Sequence, residues 1–177
     1  MDLRHLLEEF QKGNISLEEA EQHLKFAPLE DVGYAVIDHQ RAIRNGCPEV
    51  IYCAGKTVEQ IAGIAKHMLE AGTKNILGTR ATEEMYEGVK KVAPDAVYHP
   101  LAKVILIERE PVEKTGGKIV VATGGTSDIP VAEEAALTAE YLGNEVIRMY
   151  DVGVAGLHRL LSHLNLVAQA NVIIAVA

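Results

Sequence analysis

The sequence predicts a protein of the α/β class: an N-terminal helical hairpin, a small α/β domain, and a partial three-layer α/β/α domain built on a parallel sheet. Apolar runs of strand length alternate with helical patterns, which is typical of strand–helix–strand units with right-handed crossovers. The runs "KIVVAT" and "NVIIAVA" are continuously apolar, as in parallel strands that are covered on both faces. These runs place the parallel sheet in the last third of the chain.

Residues 1–30 are predicted to form the helical hairpin. Apolar side chains between residues 2 and 12 recur on one helical face, and Gly13 ends that helix. Ser16, with Glu19 three residues later, matches a capping box at the start of the second helix.

Residues 31–115 are predicted to form the small α/β domain. "PEVIYCAGKT" predicts a short strand, a glycine corner and a helix that Thr57 caps. "NILGTR", "TEEMYEGVKKVA" and "AVYHPLAKVILIERE" add a strand, a helix, and one or two further strands. Lys114–Gly117 interrupts the pattern, so we place the start of the last domain at residue 116.

In the last domain, residues 116–177, predicted strands and helices alternate regularly. We expect strands at 118–123, 145–150 and 171–177 and helices at about 128–142 and 154–169. In a 2-1-3 strand order, the first of these strands lies in the middle of the sheet.

Composition excludes several classes of function. The 177 residues carry a net charge of −8, which argues against nucleic acid or an anionic membrane as a partner. The N-terminus has no apolar core like that of a signal peptide, and no run approaches the roughly 20 apolar residues of a membrane helix. The two cysteines, Cys47 and Cys53, lack the spacing of a redox pair or a zinc site. We therefore expect a cytoplasmic protein with two free thiols.

The first candidate site follows the strand at 118–123 and consists of Gly124, Gly125, Thr126, Ser127 and Asp128. Ligands of open parallel sheets bind beyond the carboxyl ends of the strands. Glycines allow close approach to a ligand, and the N-terminus of the next helix carries about half a positive charge. Alternatively, Ser127 and Asp128 only cap that helix. The Asp128 carboxylate suits ribose hydroxyls, a metal ion or proton transfer better than a bare phosphate.

The second candidate site follows the next strand, in "DVGVAGLHRLL", and contains Asp151, His158 and Arg159. An arginine binds phosphate with a fork of donors, and a histidine titrates near neutral pH. Alternatively, His158 and Arg159 are an ordinary surface pair. Because the two strands are neighbours in the predicted sheet, we expect their tips at Thr123 and Tyr150 to open onto one nucleotide pocket.

These motifs resemble a known family. "GGTSDIPVAEEAALTAEYLG" is similar to the Gly-Ser-x-Ser-Asp corner of PurE-type phosphoribosylaminoimidazole carboxylases, and "DVGVAGLHRLL" occupies the place of their Ala-His-Arg loop. The LarB family resembles the chain more closely. Its pattern Asp-x-x-Arg-x-x-Arg-x-Gly-x-Pro-Glu-Val, followed by Gly-Lys-Thr, runs here from Asp38 to Thr57. The resemblance covers nearly the whole chain and implies a PurE-like last domain with flavodoxin-like strand order.

The resemblance implies an enzyme that acts on nicotinic acid adenine dinucleotide. A cysteine thiolate adds to the pyridinium ring, the ring attacks CO2, a ring proton and the thiolate leave, and the phosphoanhydride is hydrolysed. The products are AMP and pyridinium-3,5-biscarboxylic acid mononucleotide, the precursor of the nickel-pincer cofactor of lactate racemase. Mg²⁺ is the implied metal, CO2 or bicarbonate the co-substrate, and a homo-oligomer, an octamer in the full-length family, the implied assembly.

The resemblance also implies roles for single residues. Asp128 and His158 are the implied proton-carrying catalytic residues. The implied nucleotide-binding residues line the two corners: Gly124, Gly125, Thr126, Ser127, Asp151 and Arg159. Lys56 belongs to the family pattern without an assignable role.

One feature of the family has no counterpart here. Family members continue past "VIIAVA" with a Gly-Met-Glu-Gly-type loop and a later helix that carries the nucleophilic cysteine. Neither Cys47 nor Cys53 lies in that context, so we expect the chain to be a fragment that binds weakly and is inactive by itself. The alternatives are a phosphoribosylaminoimidazole carboxylase or mutase, which needs no 117-residue N-terminal extension, and a non-catalytic nucleotide-binding or assembly module should the chain naturally end at Ala177.

Overall fold

The computed structural model describes residues 3–25, 29–41 and 46–177. Residue contacts divide the chain into two compact units, Met1–Glu49 and Val50–Ala177. The predicted domain limits, after residues 30 and 115, do not coincide with this division after Glu49. They remain predictions.

The unit Met1–Glu49 contains helices α1 (Leu3–Gln11) and α2 (Leu17–Lys25). The predicted capping box is confirmed: the Ser16 amide donates to Glu19 Oε2 at 2.8 Å, and the Glu19 amide donates to Ser16 Oγ at 3.1 Å. Two short antiparallel strands follow, β1 (Glu30–Asp31) and β2 (Val36–Ile37). Of the pattern that begins at Asp38, Arg44 lies outside the described residues.

The unit Val50–Ala177 begins with a four-stranded mixed sheet. Its strands, in the spatial order β3-β4-β6-β5, are β3 (Val50–Tyr52), β4 (Asn75–Thr79), β6 (Val104–Glu108) and β5 (Val97–His99). β3 and β4 are parallel, and the other neighbours are antiparallel.

Two helices accompany this sheet, α3 (Val58–Glu70) and α4 (Glu83–Lys90). Thr57 caps α3 as predicted, because its hydroxyl accepts from the Gln60 amide at 3.3 Å. No helix within residues 3–25, 29–41 and 46–177 is long and apolar enough to cross a membrane.

A three-stranded parallel sheet follows in the order β8-β7-β9 and confirms the predicted 2-1-3 arrangement. Its strands are β7 (Lys118–Thr123), β8 (Glu145–Met149) and β9 (Val172–Val176). Helix α5 (Ile129–Tyr141) packs on one face, where Ala132 and Ala136 meet Val121. Helices α6 (Leu157–Leu161) and α7 (Leu164–Val167) cover the other face. The three-layer α/β/α class is therefore confirmed.

Two local predictions were wrong. The helix expected at 154–169 is a 3₁₀ turn, Val154–Gly156, followed by α6 and α7. The break after α6 coincides with two side chains that bond the Arg159 carbonyl oxygen, Ser162 Oγ at 2.7 Å and His163 Nδ1 at 2.8 Å. Such local bonds compete with the helix.

The second wrong prediction is that β9 is covered on both faces. Val172 and Ile173 are each 51% exposed. Because successive side chains of a strand point to opposite faces, β9 is incompletely covered on both faces at this end.

Helix α5 also contacts the four-stranded sheet. The Tyr141 hydroxyl at its end donates to the carbonyl oxygen of Asn75, the first residue of β4, at 2.9 Å. Glu134, earlier in α5, pairs with Arg80, directly after β4, with Nε and Oε2 2.7 Å apart. Helix α5 therefore runs antiparallel to β4. As a crossover helix it also runs antiparallel to β7, so the carboxyl ends of β4 and β7 lie at the same end of this unit.

We predict that Tyr141→Phe lowers the free energy of unfolding by about 1–2 kcal/mol, because the buried ring stays while the Asn75 carbonyl loses its donor. Urea denaturation of the purified chain measures the change. Tyr52→Phe, at an exposed tyrosine, is the control and should stay within about 0.5 kcal/mol of the parent chain. Equal effects of both substitutions would contradict the prediction.

Candidate functional site

The tips of β7 and β8 are bonded directly to each other. The Thr123 hydroxyl oxygen accepts from the Asp151 amide at 2.9 Å, and the Thr123 carbonyl accepts from Val152 at 3.0 Å. One residue further, the Gly153 amide donates to the Gly124 carbonyl at 2.9 Å. The structure therefore brings the two predicted corners together at one edge of the sheet.

Glycine at position 153 is required by this contact. A Cβ atom there would lie 2.4 Å from the Gly124 carbonyl oxygen, which is closer than any real Cβ contact. The Gly124 amide in turn donates to the Val176 carbonyl at 2.9 Å. The end of the third strand therefore contacts the first corner as well.

Asp128 stabilises the first corner from within. Its Oδ2 accepts from the Gly125 amide at 2.8 Å, and its Oδ1 lies 3.4 Å from Ser127 Oγ. Residues Thr126–Asp128 form a 3₁₀ turn, and the described residues show no side-chain hydrogen bond from Asp128 to the start of α5. The carboxylate thus closes the corner rather than capping α5. Thr126 and Ser127 are exposed beside it.

Asp151 and Arg159 form an ion pair in the second corner. Asp151 has a φ of 58°, a left-handed conformation that is uncommon for a residue with a side chain, and its carboxylate bonds the Arg159 guanidinium. Gly156 makes room for this pair, because a Cβ there would lie 2.5 Å from Arg159 Nε. The Arg159 side chain keeps 37% of its surface exposed. An anionic ligand would have to compete with Asp151 for it.

His158 is exposed at the start of α6. Its ring has no hydrogen-bond partner in the part of the chain that the structure describes, so neither corner fixes its orientation. The predicted roles of His158, of Asp128 and of the six nucleotide-binding residues remain predictions.

The cavities of the unit Val50–Ala177 include two that lie away from the corners. One, of about 410 Å³, lies between α5, β7 and β9, where Ile119, Val131 and Ile174 contribute apolar surface. The other, of about 370 Å³, lies along the segment from Glu108 to Lys114. Neither cavity is lined by residues of the two corners, so a nucleotide pocket at the corners also stays a prediction.

Sequence reasoning missed the role of Thr123. Its side chain is the buried polar group of the sheet, 2% exposed, and its hydroxyl fixes the backbone of Asp151. The signal was present in the sequence, because a threonine ends an otherwise apolar strand at the point where the two glycines begin.

Cys53 is not suited to act as a nucleophile. Its side chain is 0% exposed, and burial raises the pKa of its thiol to about 11 although Lys56 acts in the opposite direction. Cys47 is half-buried. Within the described ranges, no group of three or more His, Cys, Asp or Glu side chains is placed to hold a metal ion.

We predict that Thr123→Val lowers the free energy of unfolding by about 1–2 kcal/mol, because valine keeps the shape but leaves the Asp151 amide without its acceptor. Urea denaturation measures the loss. Thr126→Val, at an exposed threonine of the same corner, is the matched control and should change stability by less than about 0.5 kcal/mol. A loss that is the same at both positions would show that the Thr123 hydroxyl carries no special role.

We also predict that iodoacetamide at pH 8 alkylates Cys47 and spares Cys53. With a pKa of about 11, roughly one Cys53 thiol in a thousand is ionised at that pH, and the side chain is inaccessible. Peptide mass spectrometry of the labelled chain reads out both sites, and labelling in urea supplies the unfolded reference. Rapid native labelling of Cys53 would contradict its burial.

Comparison with known proteins supports the interpretation of the fold. Residues 29–110 match the family model of the LarB/PurE-like N-terminal domain. The uncharacterized protein MJ0165 of Methanocaldococcus jannaschii is 37% identical over an alignment of 177 positions, which covers 97% of this chain and 69% of that protein. The family model matches the segment before the parallel sheet, and the similarity to the archaeal protein extends over nearly the whole chain. The chain therefore belongs to the LarB/PurE-like family of carboxylases and mutases.

Proposed function

We propose that this protein carboxylates nicotinic acid adenine dinucleotide and hydrolyses its phosphoanhydride, giving AMP and pyridinium-3,5-biscarboxylic acid mononucleotide for a nickel-pincer cofactor. The observation that carries the proposal is the direct bond between the corners, from the Gly153 amide to the Gly124 carbonyl. This bond puts the glycine turn and the Asp151–Arg159 pair on one edge, which is where parallel sheets bind nucleotides.

The proposed roles follow from the chemistry of each corner. The backbone of Gly124 and Gly125 and the exposed hydroxyls of Thr126 and Ser127 hold the nucleotide. Arg159 exchanges its bond with Asp151 for a phosphate or carboxylate of the substrate. Because the Asp151 carboxylate already orders the guanidinium, this exchange needs little further ordering of the side chain.

The carboxylation step requires a base. In the proposed sequence a cysteine thiolate adds to the pyridinium ring, which makes a ring carbon nucleophilic. A new C–C bond then forms between that carbon and CO2, the base takes the proton from the same carbon, and the S–C bond breaks so that the thiolate departs and the pyridinium is restored. We propose Asp128 and His158 as the groups that move protons. Asp128 Oδ1 has only a 3.4 Å contact with Ser127, and the exposed ring of His158 is free to rotate. Cys53 is not the proposed thiol, since it is buried with a raised pKa.

Mg²⁺ and bicarbonate belong to the proposal as reaction components. The described residues assemble no cluster of three potential metal ligands, so no step is assigned to a protein-bound metal. We also propose the homo-oligomeric, octameric assembly of the family. Exposed apolar side chains on α6 and in the turn before it, among them Val154, Leu157 and Leu161, are consistent with self-association.

The second candidate is a phosphoribosylaminoimidazole carboxylase or mutase. The 2-1-3 parallel sheet and both corners fit this reaction equally well. The match of residues 29–110 to the LarB/PurE-like N-terminal domain favours the dinucleotide substrate, since the purine reaction by itself needs no such domain.

The test incubates the full gene product with nicotinic acid adenine dinucleotide, bicarbonate labelled with ¹³C, and MgCl2. We expect AMP and a doubly carboxylated pyridinium mononucleotide that carries the label, both identified by mass spectrometry. Aminoimidazole ribonucleotide in a parallel reaction tests the second candidate.

Asp128→Asn is the informative variant, because asparagine keeps an oxygen for the Gly125 amide but cannot accept a proton at neutral pH. We expect a loss of carboxylation of at least about 100-fold with dinucleotide binding retained. Thr138→Val, on α5 away from the corners, is the control and should leave turnover unchanged. Absence of both AMP and labelled product from the parent protein would reject the proposal.

A further inference from the structure

We propose that Lys56, Arg80 and Lys103 form a phosphate-binding subsite at the carboxyl end of β3 and β4, which holds the phosphates of the dinucleotide whose other part lies at the two corners. The inference rests on the proposed function and extends it, because it assigns a role to basic residues outside the corners. Lys56 follows β3, Arg80 follows β4, and Lys103 precedes β6.

Backbone hydrogen bonds bring the three positions to one edge. The Cys53 amide, three residues before Lys56, donates to the Thr79 carbonyl at 2.9 Å. The Ala81 amide, one residue after Arg80, donates to the Lys103 carbonyl at 2.8 Å. The order β3-β4-β6 therefore aligns three cationic residues along the end of the sheet.

Two of these residues have a strained backbone. Arg80 has a φ of 55° and Lys103 a φ of 54°, both in the left-handed region that glycine adopts without cost. At each of these two positions, which are neighbours at the end of the sheet, a long cationic side chain costs more conformational free energy than glycine would. Residues in such conformations concentrate at binding and catalytic sites.

Helix α5 links this edge to the corners. Arg80 pairs with Glu134, which lies six residues after Asp128. Six helical residues span roughly 9 Å, so the Arg80 guanidinium lies beside the first turns of the helix that begins at the glycine corner. A dinucleotide is an extended ligand with two linked phosphates. Its length suits a site that begins at the end of the four-stranded sheet and continues at the end of the parallel sheet.

The three cationic side chains differ in how readily they can bind a phosphate. Lys103 is exposed, and no described residue forms an ion pair with it. Lys56 Nζ donates to a neutral acceptor, the Tyr52 carbonyl, at 2.7 Å. Arg80 is 48% exposed and faces the Glu134 carboxylate, so a phosphate must replace Glu134. Three acidic groups lie nearby in the sequence and limit the net positive charge: Glu59 in the first turn of α3, and Glu83 and Glu84 in the first turn of α4.

Isothermal titration calorimetry at low salt tests the subsite on the 177-residue chain, with inorganic pyrophosphate and with nicotinic acid adenine dinucleotide as probes. We expect Arg80→Gln and Lys103→Gln each to weaken both ligands by about tenfold, the effect of losing one charge-assisted contact. Glu134→Gln should strengthen pyrophosphate binding, since it removes the competing carboxylate. Lys66→Gln, at an exposed lysine near the far end of α3, is the control and should leave both affinities unchanged.

Circular dichroism and urea denaturation of each variant separate binding effects from unfolding. Saturable binding that Arg80→Gln and Lys103→Gln weaken, and Lys66→Gln does not, supports the subsite even if the gene product carboxylates nothing. Pyrophosphate binding that is absent, or equal in all variants, overturns it even if carboxylation is observed. A third outcome also overturns the subsite: the substitutions weaken the binding of pyrophosphate but leave the affinity for the dinucleotide unchanged. The edge would then bind free phosphate only.

Discussion

The packing of helix α5 between the two sheets of Val50–Ala177 is the constraint on which the arrangement of the site depends. Its alanines Ala132 and Ala136 are fully buried against the parallel sheet, where larger side chains would hold the helix away from Val121. Its last residue, Tyr141, enters the core of the four-stranded sheet beside Leu77 and Val104. Because one helix packs against both sheets, it fixes the strand directions of one sheet relative to those of the other. We call this relation the polarity of the sheets.

That polarity brings the proposed binding residues to one end of the unit. The two corners and the cationic edge of the four-stranded sheet all lie near the N-terminal half of α5, whereas Tyr141 and Asn75 anchor its opposite end through a 2.9 Å hydrogen bond. Within the corners the backbone itself is the framework. Gly124 and Gly153 meet through main-chain atoms, and the Thr123 hydroxyl fixes Asp151 in its strained conformation. The side chains proposed to act therefore project from a backbone that these hydrogen bonds hold in place.

Much of this arrangement was accessible from the sequence, and the failures have two physical causes. Local periodicity and capping predicted β7, α5 and the Thr57 cap, because each depends on residues close in sequence. The 2-1-3 order was what the family resemblance implied. Periodicity could not reveal the Arg80–Glu134 pair, whose partners are 54 residues apart. It also could not reveal that Ser162 and His163 would bond the Arg159 carbonyl and interrupt a helix. Those outcomes depend on tertiary contacts and on competing side-chain hydrogen bonds, which leave no periodic signal.

Arg80 and Arg159 share an arrangement that bears on how an anionic substrate would be received. Each guanidinium is partly exposed and paired with one carboxylate, Glu134 or Asp151. Exposed ion pairs of this kind contribute little to stability, because solvent screens the charges and ordering the side chains costs entropy. Their effect is to hold the guanidinium in place before a ligand arrives. An anionic group of the substrate could then replace the carboxylate at a small cost in stability, and the guanidinium it meets would already be ordered at the carboxyl ends of the strands.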